Sequence, residues 1–158
     1  MIRKAEKKDI EGIEVLLGQV LAVHHKGRPD LFKEKGAKYR PSEIEDIISD
    51  EKTPVFVYIE NEKVLAHCFC QVVDREETGA SFARKTLFID DLCVDETVRG
   101  HHIGKAMYEF VKTWAVTEGF YNITLHVWEC NPDAVAFYKS IGMKVQQYTM
   151  EEIIEDGD

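Results

Sequence analysis

The chain has 158 residues, enough for one domain with a sizeable core, and its 44% hydrophobic and 31% charged content is that of an ordinary globular protein. Its 29 acidic and 20 basic residues leave a formal net charge of −9, which disfavours nonspecific nucleic-acid binding and suits a cationic substrate. No apolar run approaches the ~20 residues of a membrane span, and Met1–Glu6 read as strand rather than as a signal core, so no membrane partner and a cytoplasmic location are expected.

Ile2–Ala5 supply a first strand. Asp9 is placed to cap a helix whose Ile10, Ile13, Leu16, Leu17, Val20 and Leu21 recur at helical spacing, with Gly12 and Gly18 weakening it. His24–Phe32 read as a loop. A second helix starts at Pro41, where Ser42 and Glu45 have capping-box spacing. After Pro54 the period changes: Val55–Ile59 and Val64–Val73 form a hairpin across Glu60–Lys63, and residues 74–85 are a polar connection.

Thr86–Val94 is a further strand, followed by a helix to about Glu118 that Gly119 stops. Asn122–Trp128 read as a strand. A short helix from Pro132 carries Ala134, Val135, Phe137 and Tyr138 and ends at Gly142. Met143–Met150 are expected to complete the sheet, with the acidic residues from 151 frayed. Strand, helix and strand over 86–128 fit a right-handed crossover. The hairpin and the lack of G-x-G-x-x-G exclude a full dinucleotide-binding fold.

Cys68, Cys70, Cys93 and Cys130 match neither paired zinc knuckles nor a C-x-x-C site, and are expected to be reduced thiols. His24, His25, His67, His101 and His102 offer no ligand spacing, so no metal is expected. The junction Val98-Arg99-Gly100-His101-His102-Ile103-Gly104-Lys105 is the strongest motif. It lies between the strand ending at Val94 and a helix carrying Ala106, Phe110, Val111, Trp114 and Ala115. A short loop opening a helix aims unpaired backbone N–H groups, and the positive end of the dipole, at an anion such as a pyrophosphate. The adjacent Asp90 and Asp91 should point to opposite faces of their strand; a local bulge or a polar surface strand is the structural alternative.

Leu92-Cys93-Val94, Arg99-Gly100-His101-His102-Ile103-Gly104, Asn131 and Phe137-Tyr138-Lys139-Ser140-Ile141-Gly142 closely resemble the GCN5-related N-acetyltransferase (GNAT) family. The resemblance implies residues 1–158 as a single α/β domain, with a mixed, mostly antiparallel central sheet, a splayed pair of parallel strands and about four flanking helices. It implies acetyl-CoA as cosubstrate, its pyrophosphate on Arg99–Gly104 with Lys105 beside them, and its pantetheine arm along Leu92, Cys93 and Val94. The family commonly has glycine where His102 stands.

By the same resemblance, Asn131 contacts the cofactor, a role compatible with capping a helix. Tyr138 protonates the departing thiolate, the alternative being a buried structural tyrosine. Ile89-Asp90-Asp91-Leu92 looks like the acidic segment of the diamine and polyamine branch, making Asp90 the base, acting through water, and Asp91 a substrate ligand. His126 lies on the substrate side or in solvent, and Gly27–Phe32 form an acceptor lid or a buried staple. The function implied is direct acetyl transfer to a primary amine, with a small amine or polyamine as the expected acceptor; the alternatives are a protein N-terminus or lysine as acceptor, and a noncatalytic acyl-CoA-binding regulator. A homodimer is also expected.

Overall fold

Every residue from Val64 to Cys70 is buried, which is the mark of a strand covered on both faces. In the computed structural model, which describes residues 1–155, that run lies at the centre of a five-stranded sheet. The strands are β1 (Ile2–Lys4), β2 (Val55–Glu60), β3 (Lys63–Arg75), β4 (Arg84–Val94) and β5 (Asn122–Leu125), in the spatial order β1-β2-β3-β4-β5. The first four pair antiparallel, and β4 pairs parallel with β5.

Helices α1 (Ile10–Gly27) and α2 (Pro41–Ser49) cover one face; α3 (Ile103–Thr117) covers the other, and α4 (Pro132–Ser140) follows β5. Ile13, Leu16, Leu17 and Ile44 pack on Val55, Val57, Phe69 and Cys93. Met107, Val111 and Ala115 pack on Phe56, Cys68, Leu87 and Ile89. Gly12 permits this packing, since a Cβ there would meet Val64 Cγ2 at 2.7 Å. The glycine that weakens α1 as an isolated helix lets α1 lie close against β3.

One irregularity shapes the functional end of the sheet. Phe69 pairs with Asp91 and Cys70 with Ile89, so Asp90 is an extra, unpaired residue of β4. Such a bulge bends its strand and resets the alternation of faces. Before it, Leu87 and Ile89 join the α3 side; after it, Cys93 joins the α1 side. The β4–β5 ladder stops just short of the bulge, at Ile89 opposite Leu125. Beyond that point the two strands part.

Several expected boundaries move. The strand expected over Asn122–Trp128 ends at Leu125, because its partner diverges at the bulge. His24 and His25 belong to α1, which runs to Gly27. Asp9 does not cap α1: its carboxylate receives Arg3 at 2.7 and 3.0 Å and the Glu6 N–H at 2.8 Å. The α2 box is built from Arg40 and Glu43 rather than Ser42 and Glu45, with Glu43 Oε2 accepting the Arg40 N–H at 2.7 Å. The expected strand over Met143–Met150 is not formed. Strand propensity needs a neighbouring edge to satisfy the backbone; here Tyr148 and Met150 stay 80% and 87% exposed. Glu151 beyond them pairs with Arg28. Of the acidic tail, residues 156–158 lie outside the described residues.

Candidate active site

Where β4 and β5 part, a cleft of about 1330 Å³ opens. Its walls come from the C-terminal half of α1, the loop from Leu31 to Lys38, the bulged end of β4, the start of α3 and the inner face of α4. Phe32 closes one side: its ring meets Trp128 edge-on at 5.2 Å, and its carbonyl lies 2.8 Å from His25 Nδ1. Of the Gly27–Phe32 segment, Leu31 and Phe32 line the cleft; Pro29 and Leu31 are exposed, so the segment is not a buried staple and Phe32 alone of the three packs inward.

Two left-handed residues shape the loop before α3. Gly100 has φ +84° and His102 has φ +61°, and His102 stands immediately before α3. A non-glycine residue is uncommon at such a φ, although histidine tolerates it better than most. The His102 backbone thus adopts the conformation that the family's glycine would favour. Gly104 faces the cleft between Phe137 and Val94, where a Cβ would lie 3.3 Å from Phe137 Cζ and 3.4 Å from Val94 Cγ2. Val94, Arg99, Gly100, His102, Ile103, Gly104 and Lys105 line the cleft. Exposed His101 is not among the cleft-lining residues. The first-turn amides of α3, with Arg99 and Lys105 beside them, suit a pyrophosphate. Leu92, Cys93 and Val94 pair with β3 on one side only, since β5 stops at Leu125, so their other backbone edge is open to a pantetheine arm.

Residues at the bulge line the same cleft. Tyr138 lines the cleft on α4, and burial, reinforced by Cys68 and Asp91, pushes its hydroxyl well above the usual phenol range. It therefore carries a proton at neutral pH. Asn131 caps α4, accepting the Ala134 N–H at 3.3 Å, and also lines the cleft. His126 is exposed, lines the cleft and meets the Phe88 ring at 5.0 Å.

The two aspartates hold different partners. Asp90 Oδ2 accepts the Tyr39 hydroxyl at 2.6 Å and lies 3.1 Å from Lys38 Nζ. Asp91 Oδ2 lies 2.5 Å from His67 Nε2, and the side chains are 9% and 0% exposed respectively. Burial works against the charge of Asp91, but the His67 hydrogen bond and the nearby His67, Lys38 and His24 hold its carboxyl below the usual range. Tyr39, Lys38 and His67 were not singled out as site residues from the sequence. His67 had a signal: it is the one residue in the run from Val64 to Cys70 that is neither apolar nor a cysteine.

All four cysteines are free. Burial pushes the Cys93 thiol up to about 12, and it lies 3.4 Å from the Leu16 carbonyl as a donor. That environment suits a packing group rather than a nucleophile. Among the described residues, no three metal-ligating side chains gather, and no helix is long and apolar enough to cross a membrane.

Residues 21–143 match the Acetyltransferase (GNAT) family. The chain belongs to that family. A structure of a mutant of the BH1408 protein from Bacillus halodurans is 35% identical, with a TM-score of 0.94 over 98% of this chain and 99% of that one. Peptidyl-lysine N-acetyltransferase YjaB from Salmonella typhimurium is 31% identical over 106 residues, 66% of this chain; the matched stretch is 61% of that protein's length. The aminoglycoside N-acetyltransferase AAC(6')-Iy, solved with CoA, shares the fold at 12% identity, with a TM-score of 0.72 over 99% of this chain and all of that one. GNAT membership carries acetyl transfer with acetyl-CoA as the donor, and the open β4 edge, the α3 seat and the protonated Tyr138 fit that cosubstrate.

Proposed function

We propose that the protein transfers the acetyl group of acetyl-CoA directly to the side-chain amine of lysine in a protein or peptide. The observation that carries this acceptor class is the pairing of the acidic residues. Asp90 is neutralised by Lys38 and tied to Tyr39, whereas Asp91, next to it on the bulged strand, has His67 and no lysine as its side-chain partner. One carboxylate suits one ammonium. A polyamine would bring further positive charges against Lys33 and Lys35, which line the same cleft. The peptidyl-lysine activity of YjaB, a partial-length relative, supports the same acceptor.

In this reading Tyr138 gives its proton to sulfur as the C–S bond breaks, and the Val94 N–H orients the thioester carbonyl. Asp90, Asp91 and His126 frame the acceptor end. Arg99, Gly100, His102, Ile103, Gly104, Lys105 and Asn131 hold the cosubstrate. The test compares kcat/KM for lysine peptides with that for diamines and polyamines. Peptides at least tenfold better support the reading, and polyamines better by that factor overturn it.

The homodimer is retained as part of this proposal. Val145, Tyr148, Met150, Ile153 and Ile154 are more than half exposed, and β5 has a neighbour on one edge only. A second copy would cover both features.

A further inference from the structure

His67 stands out because its burial is complete and its hydrogen bonding is not. It is 0% exposed at the centre of the sheet, and Nδ1 is the one buried side-chain nitrogen or oxygen without a partner among the described residues. Its other nitrogen lies against Asp91, whose carboxylate lines the cleft. With Nδ1 unpartnered, the tautomer that fits carries its hydrogen on Nε2, so His67 donates and Asp91 accepts. Replacing a buried polar pair by apolar residues of similar volume is often neutral or stabilising, so this histidine–carboxylate contact is weak evidence of a stability role.

The bulge at Asp90 brings Asp91 to this position. Without it Asp91 would share the face of Leu87 and Ile89, away from the α1 side where Phe69 and Cys93 lie. Phe69 stands edge-on to the His67 ring at 5.1 Å and helps fix its plane. Around the pair stand His24 of α1, Lys38 and Tyr39 of the following loop, Asp90 and Cys93 of β4, Cys68 of β3 and Tyr138 of α4.

We propose that Asp91, held in place by His67, takes the proton from the acceptor ammonium, with His67 a positioning residue for the reaction and Asp90 an anchor for the loop. The inference rests on the acetyl-transfer reading above. His67 occupies Oδ2, which leaves Oδ1 to receive the proton. The ammonium N–H bond breaks, the carboxylate becomes a carboxylic acid, and the freed nitrogen lone pair forms the C–N bond at the thioester carbonyl. As the C–S bond breaks, its electron pair goes to sulfur, which takes the Tyr138 proton. The second nitrogen proton returns to the Tyr138 phenolate, and Asp91 releases the first proton to solvent.

The experiment uses two peptides that differ only in the acceptor group: a lysine ε-amine, charged at neutral pH, and an aminooxy group, already neutral there. His67→Leu is expected to lower kcat on the lysine peptide roughly 10- to 100-fold and on the aminooxy peptide by less than about threefold, shifting the acidic limb of the lysine profile upward. His67→Gln, whose amide is a donor, is expected to recover most of the loss. Acetyl-CoA titration and thermal melts show whether each variant folds. Equal losses on both peptides, or no loss on lysine, overturn the proposal. If the wild type acetylates neither peptide, the acceptor reading fails separately. The pair is then judged by its imidazole N–H resonance, expected in the wild type and lost in Asp91→Asn; its absence from the wild type overturns the pairing.

Discussion

The Tyr39 hydroxyl donates to Asp90 Oδ2 at 2.6 Å, joining the loop before α2 to the one unpaired residue of β4. The same ring stacks on Phe69 at 5.6 Å, so the loop is fastened by a polar and an apolar contact together. Burial and Asp90 both raise the Tyr39 hydroxyl above the usual phenol range, which keeps it a donor at neutral pH. Tyr39→Phe is expected to keep the stacking, lose about 1 kcal/mol of stability and raise KM for the acceptor several-fold. Affinity for acetyl-CoA should hold. Steady-state kinetics with each substrate varied in turn check this.

Gly104 and His102 make separable demands on the anion seat. Gly104→Val would press atoms into the gap shared with Phe137 and Val94, raising KM for acetyl-CoA tenfold or more by blocking the seat. His102→Gly keeps the backbone N–H and relieves the left-handed φ, so binding should stay within about twofold of wild type. His102→Val puts a β-branched residue at φ +61° and is expected to cost about 1–2 kcal/mol. Isothermal titration and thermal melts on the three variants distinguish these effects.

Arg3 and Asp9 tie β1 to the turn before α1. Burial raises the Asp9 carboxyl, but the Arg3 hydrogen bonds, the Glu6 N–H and the Arg3 charge outweigh it and set the carboxyl below its usual value. A lowered folded-state value means the stabilisation is complete above the unfolded value, ~4, and is lost as pH falls through the folded one. Arg3→Met should therefore cost about 2 kcal/mol at neutral pH. The difference from wild type should shrink as pH drops below ~4. Urea melts between neutral and acidic pH measure it.

The exposed C-terminal segment gives the homodimer a direct test. Light scattering is expected to report twice the chain mass for the full protein and the single mass after deletion of residues 144–158. A full-length monomer at micromolar concentration contradicts the dimer.

The order of elements was legible because each long element carries its own period, from the helical stripe of α1 to the unbroken apolar run of β3. The loop Arg99–Gly104 and the helix start after it were legible because the donors of a helix start depend on local chain geometry, although His101 within the loop does not line the cleft. Asp90 and Asp91 were named from the sequence, but their partners were not. Strand alternation sends neighbours to opposite faces, whereas the bulge gives Asp90 to Tyr39 and Asp91 to His67. A bulge depends on the register of the partner strand, which adjacent residues do not encode. Likewise, Met143–Met150 have strand-forming residues, but propensity supplies no edge to pair with.

The most direct measurement is CoA release from acetyl-CoA in the presence of a lysine peptide, with Tyr138→Phe alongside and the peptide product weighed by mass spectrometry. The expected result is peptide-dependent release, one added acetyl group on the lysine, and a kcat roughly 10²- to 10⁴-fold lower in the variant with acetyl-CoA binding retained. Turnover unchanged in Tyr138→Phe contradicts the role given to Tyr138. Cosubstrate binding without acetylation of any lysine peptide contradicts the proposed acceptor.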